Sequence, residues 1–272
     1  LSFPQNIDVR SLLTFTEGNN NIYTLLMHRS LILLPETPMD MRYADPRVGY
    51  FGSSFEAFDE ASPVAPRYFI SRWRLEPFPE DRGKMKRGKL VEPQKPIVFY
   101  IDETTPAKWK PYIKKGIEDW NAAFEEAGFK NAVQVRDAPV NDPDFHPEDI
   151  RYSVIRYAAS EVSNARGPSV TDPRSGEILE SDILVFHNVL KLLNTWLFTQ
   201  TAANNPAVRT LHISDEILGD ALRYVVRHEV GHSVGLRHNM IASSAFPVDS
   251  LRSAAFTQKY GTSPSVMDYA RF

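Results

Sequence analysis

The segment His228-Glu-Val-Gly-His-Ser-Val-Gly-Leu-Arg-His238 combines three imidazoles and a carboxylate at a spacing that suits one metal ion. On a helix, His228 and His232 lie one turn apart on the same face, so both rings can reach the same ion. A continuous helix would carry His238 too far along the axis, but Gly235 can adopt the left-handed conformation that ends a helix and reverses the chain. Three neutral nitrogens leave a fourth position open, which is typical of catalytic zinc sites. The segment therefore predicts a Zn²⁺ ion bound by the three histidines.

Glu229 follows the first predicted ligand and points to the flank of the face that carries His228 and His232. Its carboxylate can contact a water molecule on the zinc without binding the metal itself. Zinc lowers the pKa of such a water to roughly 7, and a neighbouring carboxylate can accept its proton as the oxygen attacks a carbonyl. Glu229 is therefore the predicted general base. The alternatives are a helix with accidental histidines or a site that has lost its activity, although this pattern rarely arises by chance.

A second motif, Ser265-Val-Met267-Asp-Tyr269, lies further along the chain. Together the two motifs resemble the metzincins, zinc hydrolases in which a methionine turn lies below the metal. The resemblance implies that Met267 packs beneath the three histidines as the floor of the site. It also implies that Tyr269 reaches the metal or the tetrahedral intermediate, as a catalytic oxyanion partner.

The composition is that of a folded protein. The chain has 272 residues, 42% of them hydrophobic, which is enough for one large or two modest domains. A net charge of −3 and a pI near 6.2 argue against a nucleic-acid partner or an anionic membrane surface. The absence of cysteine excludes disulfides and thiol catalysis. No stretch approaches the roughly 18 apolar residues of a membrane span, so no transmembrane segment is predicted.

Residues 1–95 are predicted to form a β-rich N-terminal region. The pattern around Gly18 predicts a hairpin with strands over 7–17 and 21–34, and alternation predicts another strand over 68–76. The basic segment 84–89 is interpreted as a solvated linker. Aromatic side chains crowd one tract of this region, so we expect the region to pack against the rest of the chain. These side chains are Tyr43, Tyr50, Phe51, Phe55 and Phe58.

Asp45 lies in the same aromatic tract and has two interpretations. An Asp before a Pro is a common turn former, so Asp45 is interpreted first as the cap of a loop. In the alternative, its carboxylate reaches the zinc and keeps the protein latent, like the aspartate switch of astacin precursors.

From Pro96 onward the pattern predicts mixed strands and helices. Strands are predicted over 97–101, 133–136 and 150–157, and a hairpin over 168–186 contains an edge strand that can bind a substrate through its main chain. Helices are predicted over 105–128, with Thr105 as N-cap, over 188–201, and from Ser214 into the histidine motif. The other histidines lack ligand spacing and are predicted to be structural; they are His28, His146, His187 and His212.

Further stretches resemble the bacterial Met-zincin domain family and the domain of unknown function that precedes it. They are Asp149-Ile-Arg-Tyr152, Asp172-Pro-Arg-Ser-Gly-Glu-Ile-Leu179, the histidine motif through Asn239, and Met41 to Phe51. The resemblance implies an exported bacterial metalloprotease, located in the periplasm, at the outer membrane or outside the cell. Relatives continue beyond Phe272 and this chain opens at Leu1, so we expect a piece of a longer protein, truncated after the methionine turn.

These observations predict an α+β protein. A β-rich region over 1–95 precedes a zincin-like, metzincin-type domain over 96–272 with a twisted mixed sheet and a zinc-binding helix. The predicted function is zinc-dependent endopeptidase, acting on protein or peptide substrates through a zinc-bound water that Glu229 activates. Two alternatives stay open: a zinc-containing binding or scaffold protein with an inactive site, and a hydrolase specialised for one kind of amide. The sequence leaves the oligomeric state undefined.

Overall fold

The computed structural model describes residues 1–18 and 21–269. Its strands are β1 (Asn6–Glu17), β2 (Asn21–Ile32), β3 (Gly52–Asp59), β4 (Ser62–Ile70), β5 (Ile97–Ile101), β6 (Val133–Asp137), β7 (Ser153–Ala158), β8 (Ala165–Arg166), β9 (Ser169–Thr171), β10 (Ile178–Ser181) and β11 (Ile183–Phe186). Its α-helices are α1 (Arg82–Lys86), α2 (Lys110–Glu118), α3 (Asn121–Glu126), α4 (Val189–Thr201), α5 (Asp215–Ser233), α6 (Val248–Leu251) and α7 (Ala254–Tyr260). Short 3₁₀ turns cover Pro79–Asp81, Pro206–Val208 and Met240–Ala245. The mixed α+β composition and the β-rich N-terminal region are as predicted.

The central layer is a five-stranded mixed sheet with the order β6-β5-β7-β11-β8. The first four strands run parallel, and β8 pairs antiparallel with β11 at one edge. Along β5 the side chains of Ile97, Phe99 and Ile101 are almost fully buried. They share one apolar core with α2, α4 and α5, which places α5 against the central sheet.

The long helix α5 begins and ends where local chemistry dictates. The hydroxyl of Ser214 accepts a hydrogen bond from the backbone N–H of Ile217, and acidic residues occupy the first turn, so the N-terminal end is capped. Leu222, Val226 and Val230 are fully buried and fix one face of the helix against the core. The last turn of α5, near Ser233, leads the histidine motif away from the apolar core.

The N-terminal region forms two separate antiparallel ladders, β1–β2 and β3–β4. Hydrogen bonds join it to the rest of the chain. The Asn6 side chain bonds the backbone of Glu148 and Ile150, and the Trp73 indole N–H donates to the carbonyl oxygen of Ser233 at 2.8 Å. Most of the aromatic tract nevertheless stays exposed, so its partner surface is smaller than the sequence suggested: Tyr43, Phe51, Phe55 and Phe58 are exposed and Tyr50 is half-buried.

Three local predictions differ from the structure. The helix predicted over 105–128 begins only at Lys110 and is split, because the backbone N–H of Trp120 bonds to the carbonyl of Ile117 in a tighter turn between α2 and α3. The strand predicted over 68–76 ends at Ile70, and β3 was not foreseen. The predicted linker 84–89 contains most of α1, whose Lys84 pairs with Asp81 one turn earlier.

Candidate metal centre

Three histidines from two elements converge at the C-terminal end of α5. His228 and His232 lie on the helix, and His238 lies in the segment that follows it. Their ring centroids are 4.7–5.1 Å apart, and each ring offers a nitrogen within 4.8 Å of the others. The structure thus brings together the three residues that the sequence predicted as ligands.

Gly235 makes the turn that returns His238 to the helix. Its φ is +100°, a conformation that L side chains rarely adopt, and the next N–H, of Leu236, bonds back to the carbonyl of Gly231. A Cβ at Gly235 would stand 2.3 Å from the carbonyl oxygen of Ser71. The predicted chain reversal is confirmed, and the N-terminal region lies directly against it.

Backbone carbonyls fix the orientation of two of the rings. Nδ1 of His228 donates to the carbonyl of Val266 at 2.7 Å, and Nδ1 of His232 donates to the carbonyl of Leu236 at 2.8 Å. In a neutral ring the Nε2 atom then carries a lone pair, which is the arrangement that supporting groups impose on metal-binding histidines. Nε2 of His232 lies 3.1 Å from Nε2 of His238, so the two nitrogens are close enough to bind one ion. The donor set therefore fits zinc.

Burial changes the proton affinity of neighbouring residues in the same helical turn. It lowers the pKa of His228 to about 4, with a further contribution from the other two histidines, so this ring is neutral at physiological pH. Burial, followed by the proximity of His232, also lowers the pKa of His238. Burial raises the pKa of Glu229 to about 7. A neutral His228 ring beside a carboxyl group that titrates near neutrality is an arrangement that suits acid–base chemistry.

The methionine turn packs under the histidines. Met267 is 3% exposed, and a Cβ on Gly231 would stand 2.1 Å from its sulfur, so only glycine fits at that position of the helix. The turn is tied to both sides of the site: its Val266 carbonyl holds His228, and its Met267 carbonyl accepts the N–H of Asn239 at 2.8 Å.

Asp268 is a buried anchor of this turn that the sequence analysis missed. One of its oxygens accepts hydrogen bonds from the hydroxyls of Ser243 and Ser263, and the other accepts the backbone N–H of Tyr269 at 2.7 Å. The only feature of the sequence that could have indicated this role is the position of Asp268 between Met267 and Tyr269.

The histidines open into a cleft of about 760 Å³. Tyr269 is half exposed on its rim, with its ring 4.5 Å from that of His238, and Phe51 of the N-terminal region lies 5.6 Å from the His232 ring. The edge strand β8 and an apolar wall that includes Trp196 complete the lining. A chain bound in this cleft would thus lie between the sheet edge and the histidines.

Asp45 lies outside this group. Its carboxylate binds the backbone and side chain of Arg47, and the histidine cluster in the described residues does not include it. The interpretation as a loop cap agrees with this position, and the latency interpretation does not. Of the other histidines, Nδ1 of His187 contacts the Tyr157 hydroxyl, and Nδ1 of His146 accepts the N–H of Glu148, as structural residues do.

The helix carries two histidines and a glutamate, a glycine turn brings back a third histidine, and a methionine turn lies below them. Together these features define a zincin-type metal centre. Comparison with protein families agrees with that class. Residues 210–272 match the Met-zincin family, and residues 1–78 match a Domain of unknown function (DUF5117). The resemblance to a Met-zincin with part of the preceding domain is confirmed.

No curated protein and no solved structure matches the chain. Among the helices that the structure describes, none combines the length and apolar character needed to cross a membrane.

Proposed function

We propose that this protein is a zinc-dependent endopeptidase with a metzincin-type catalytic domain. The observation that carries the proposal is the convergence of His228, His232 and His238 beside Glu229 in an accessible cleft. The Met-zincin match over the same residues supports it. We assign the three histidines as the zinc ligands.

Zinc bound there would supply a Lewis acid that polarises the scissile carbonyl and makes water more acidic. Glu229 performs the proton transfers. Its carboxylate accepts the proton of the attacking water as the new C–O bond forms. It then delivers this proton to the nitrogen of the leaving amine as the peptide C–N bond breaks and the carbonyl re-forms. A pKa raised to about 7 by burial suits a group that must both accept and release a proton near neutral pH.

Tyr269 is assigned the role of oxyanion partner. Its ring is adjacent to His238 and stacks at 5.9 Å from His228, on the cleft side of the site. A phenol hydroxyl there can donate a hydrogen bond to the carbonyl oxygen as negative charge develops on it.

The cleft suits an extended peptide. β8 forms an edge of the central sheet, so its outer main-chain groups can pair with a substrate strand. This strand lies just before the hairpin 168–186 in which the sequence analysis expected the edge strand. Ala165, Gly167 and Pro168 line the cleft together with His228 and His232. A substrate paired with β8 would place one of its peptide groups near the histidines.

The division into a β-rich region over 1–95 and a catalytic domain over 96–272 belongs to the same proposal, as does export from a bacterial cell. Both rest on the resemblance to exported Met-zincins. Secretion is tested by fractionating cells that express the full-length gene.

The activity is tested by digesting a peptide library with the zinc-loaded protein, with and without a chelator. We expect internal cuts in many peptides. The chelator should abolish this cleavage, and added zinc should restore it. Cleavage of one defined amide would replace the proposal with a specialised hydrolase. No cleavage by protein that retains zinc would replace it with a binding or scaffold role.

A further inference from the structure

A second group of metal-ligating side chains lies at the seam between the β1–β2 hairpin and the rest of the chain. It consists of Asp8, His28 and Glu148, each of which offers one ligand atom within 4.8 Å of the others. Nε2 of His28 is 3.3 Å from Oδ2 of Asp8, and its Nδ1 is 4.0 Å from Oε2 of Glu148. Two atoms bound to one ion at about 2.1 Å with tetrahedral angles are separated by about 3.4 Å, which is close to the first of these distances.

The hairpin and its anchor hold these groups in place without an ion. In the β1–β2 ladder Asp8 pairs with Ser30, so His28 is its diagonal neighbour on the same face of the hairpin. Asn6 fastens this end of the hairpin to the loop that carries Glu148: its Nδ2 donates to the Glu148 carbonyl at 2.9 Å, and its Oδ1 accepts the N–H of Ile150 at 3.1 Å. One nitrogen of His28 and one oxygen of each carboxylate lie within 4.8 Å of one another, so rotation of the His28 and Glu148 side chains would bring three ligands onto one ion.

The Asp8 carboxylate is buried and faces the ring of His28, its only cationic neighbour among the ion pairs of the described residues. Its side chain is 1% exposed, and Oδ2 accepts no hydrogen bond from any residue that the structure describes. Oδ1 accepts a 3.2 Å bond from Asn6. A buried carboxylate oxygen without a donor is costly, and it points at the ring of His28.

Charge around the group is unbalanced as well. Arg156 bonds Glu148 through Nη1 at 2.9 Å and Asp182 through Nη2 at 2.8 Å. Among the described residues, this single guanidinium serves both carboxylates, while Asp8 has only His28. With a neutral imidazole, the group carries an excess of negative charge that one divalent cation would cancel.

We propose that Asp8, His28 and Glu148 bind a second divalent transition-metal ion. An imidazole with two carboxylates is a donor set for zinc, manganese or cobalt, whereas calcium and magnesium prefer oxygen alone. The ion joins the hairpin to the loop at Glu148. The proposal is independent of the peptidase function, because the histidines at the end of α5 take no part in it.

Metal stoichiometry tests this site. Chelator-treated protein is dialysed against Co²⁺, and bound metal is counted; the wild type is expected to bind two equivalents. His28→Ala and, as a near-isosteric second variant, Glu148→Gln should each retain about one. His212→Ala is the matched control, because His212 is exposed and remote from both groups in sequence, and it should retain two.

A His228→Ala/His232→Ala double variant separates the two sites, and it should still bind one equivalent that is lost when His28→Ala is added. The proposal is overturned if the wild type binds one equivalent that the double variant loses. It is also overturned if the second equivalent survives both His28→Ala and Glu148→Gln. Either result leaves a simple ion pair between Asp8 and His28.

Discussion

At the scale of single residues, burial acts on His228 and Glu229 in opposite directions and serves one purpose. It lowers the pKa of the imidazole and raises that of the carboxyl group, because in both cases the charged form loses hydration. In the proposed function, the neutral histidine is then a zinc ligand and the glutamate is a base that takes a proton near neutrality. Two adjacent residues on one helix acquire different roles from the same environment.

Glu229→Gln isolates the proton transfer. The amide has nearly the same shape but cannot accept a proton, so turnover should fall by about 100-fold or more. Zinc content and circular dichroism should match those of the wild type. Loss of zinc from this variant would mean that Glu229 is a ligand and that the assignment of roles is wrong.

His238→Ala removes the ligand that depends on the Gly235 turn. Zinc affinity should fall by more than about 100-fold, the upper range for groups that only support a ligand. Secondary structure should change little, because His238 is exposed and lies outside the helices. Competition with a chromogenic chelator measures the affinity, with His212→Ala as the control. Unchanged zinc affinity would place the third ligand elsewhere.

Tyr269→Phe tests the oxyanion role. Loss of a single hydrogen-bond donor to the developing charge should lower kcat by about 100-fold, with KM and zinc content nearly unchanged. A rise in KM of about 100-fold at constant kcat would instead make Tyr269 a residue for substrate binding.

The residues that sequence analysis located are those whose relation is local. His228, Glu229 and His232 are placed by helical spacing alone, and Gly235 explains how His238 joins them. Asp8, His28 and Glu148 could not be predicted, because they come together only through the hairpin register and the Asn6 anchor. No spacing in the sequence encodes those contacts.

At the scale of elements, the turn after α5 is built by two parts of the chain. The backbone N–H of Phe51 donates to the carbonyl of Gly235 at 2.8 Å, and the N–H of Arg237 donates to the carbonyl of Gly49 at 2.9 Å. The segment 49–51 therefore runs beside the turn that positions His238. Part of the β-rich N-terminal region therefore supports the candidate metal centre.

Gly235→Ala should damage this turn, and Gly18→Ala provides the control. Both glycines have positive φ, but a Cβ at Gly18 meets nothing within 4 Å, whereas one at Gly235 meets the Ser71 carbonyl. Backbone strain alone should lower the free energy of unfolding by about 1–2 kcal/mol at Gly18. Gly235→Ala should exceed that loss by about 1–3 kcal/mol and should also weaken zinc binding. Equal losses in urea unfolding, with unchanged zinc affinity, would contradict the steric argument.

The predicted elements succeeded where apolar periodicity was strong and failed where tertiary contacts decide. β5, β6, α4 and α5 lie close to their predicted positions, and each has apolar side chains in the core. The first hairpin also lies close to its predicted position, although most of its side chains are exposed. The break at Trp120 was not visible, because it accompanies a hydrogen bond from its indole to the Arg227 carbonyl on a distant helix. The tip of the hairpin at residues 19–20 lies outside the described residues.

At the scale of the whole molecule, the two matched regions lie at opposite ends of the chain yet meet at the metal centre. Residues 1–78 contribute Phe51 and Ser71, and residues 210–272 contribute α5 and the methionine turn. The intervening residues supply the sheet on which α5 packs. Stability of the seam between these regions therefore bears on the geometry of the site.

The carboxylate pair Glu180 and Asp182 should make the free energy of unfolding of the protein depend on pH. Burial, reinforced by the negative charge of Asp182, raises the pKa of Glu180 from 4.5 to about 9 in the folded protein. Below pH 4.5 both the folded and the unfolded states hold the proton. Between 4.5 and 9 only the folded state retains it, so the free energy of unfolding falls as pH rises through this window.

Glu180→Gln should remove this dependence, because the amide is neutral at every pH. Urea unfolding at pH 6, 7.5 and 9, with chelator present throughout, should show the variant gaining stability relative to the wild type as pH rises, by at most about 1.4 kcal/mol per pH unit. Glu103→Gln is the control, since Glu103 is exposed, and its profile should run parallel to the wild type. A parallel profile for Glu180→Gln would mean that Glu180 is already ionised in the folded protein and that Arg156 neutralises it together with Asp182.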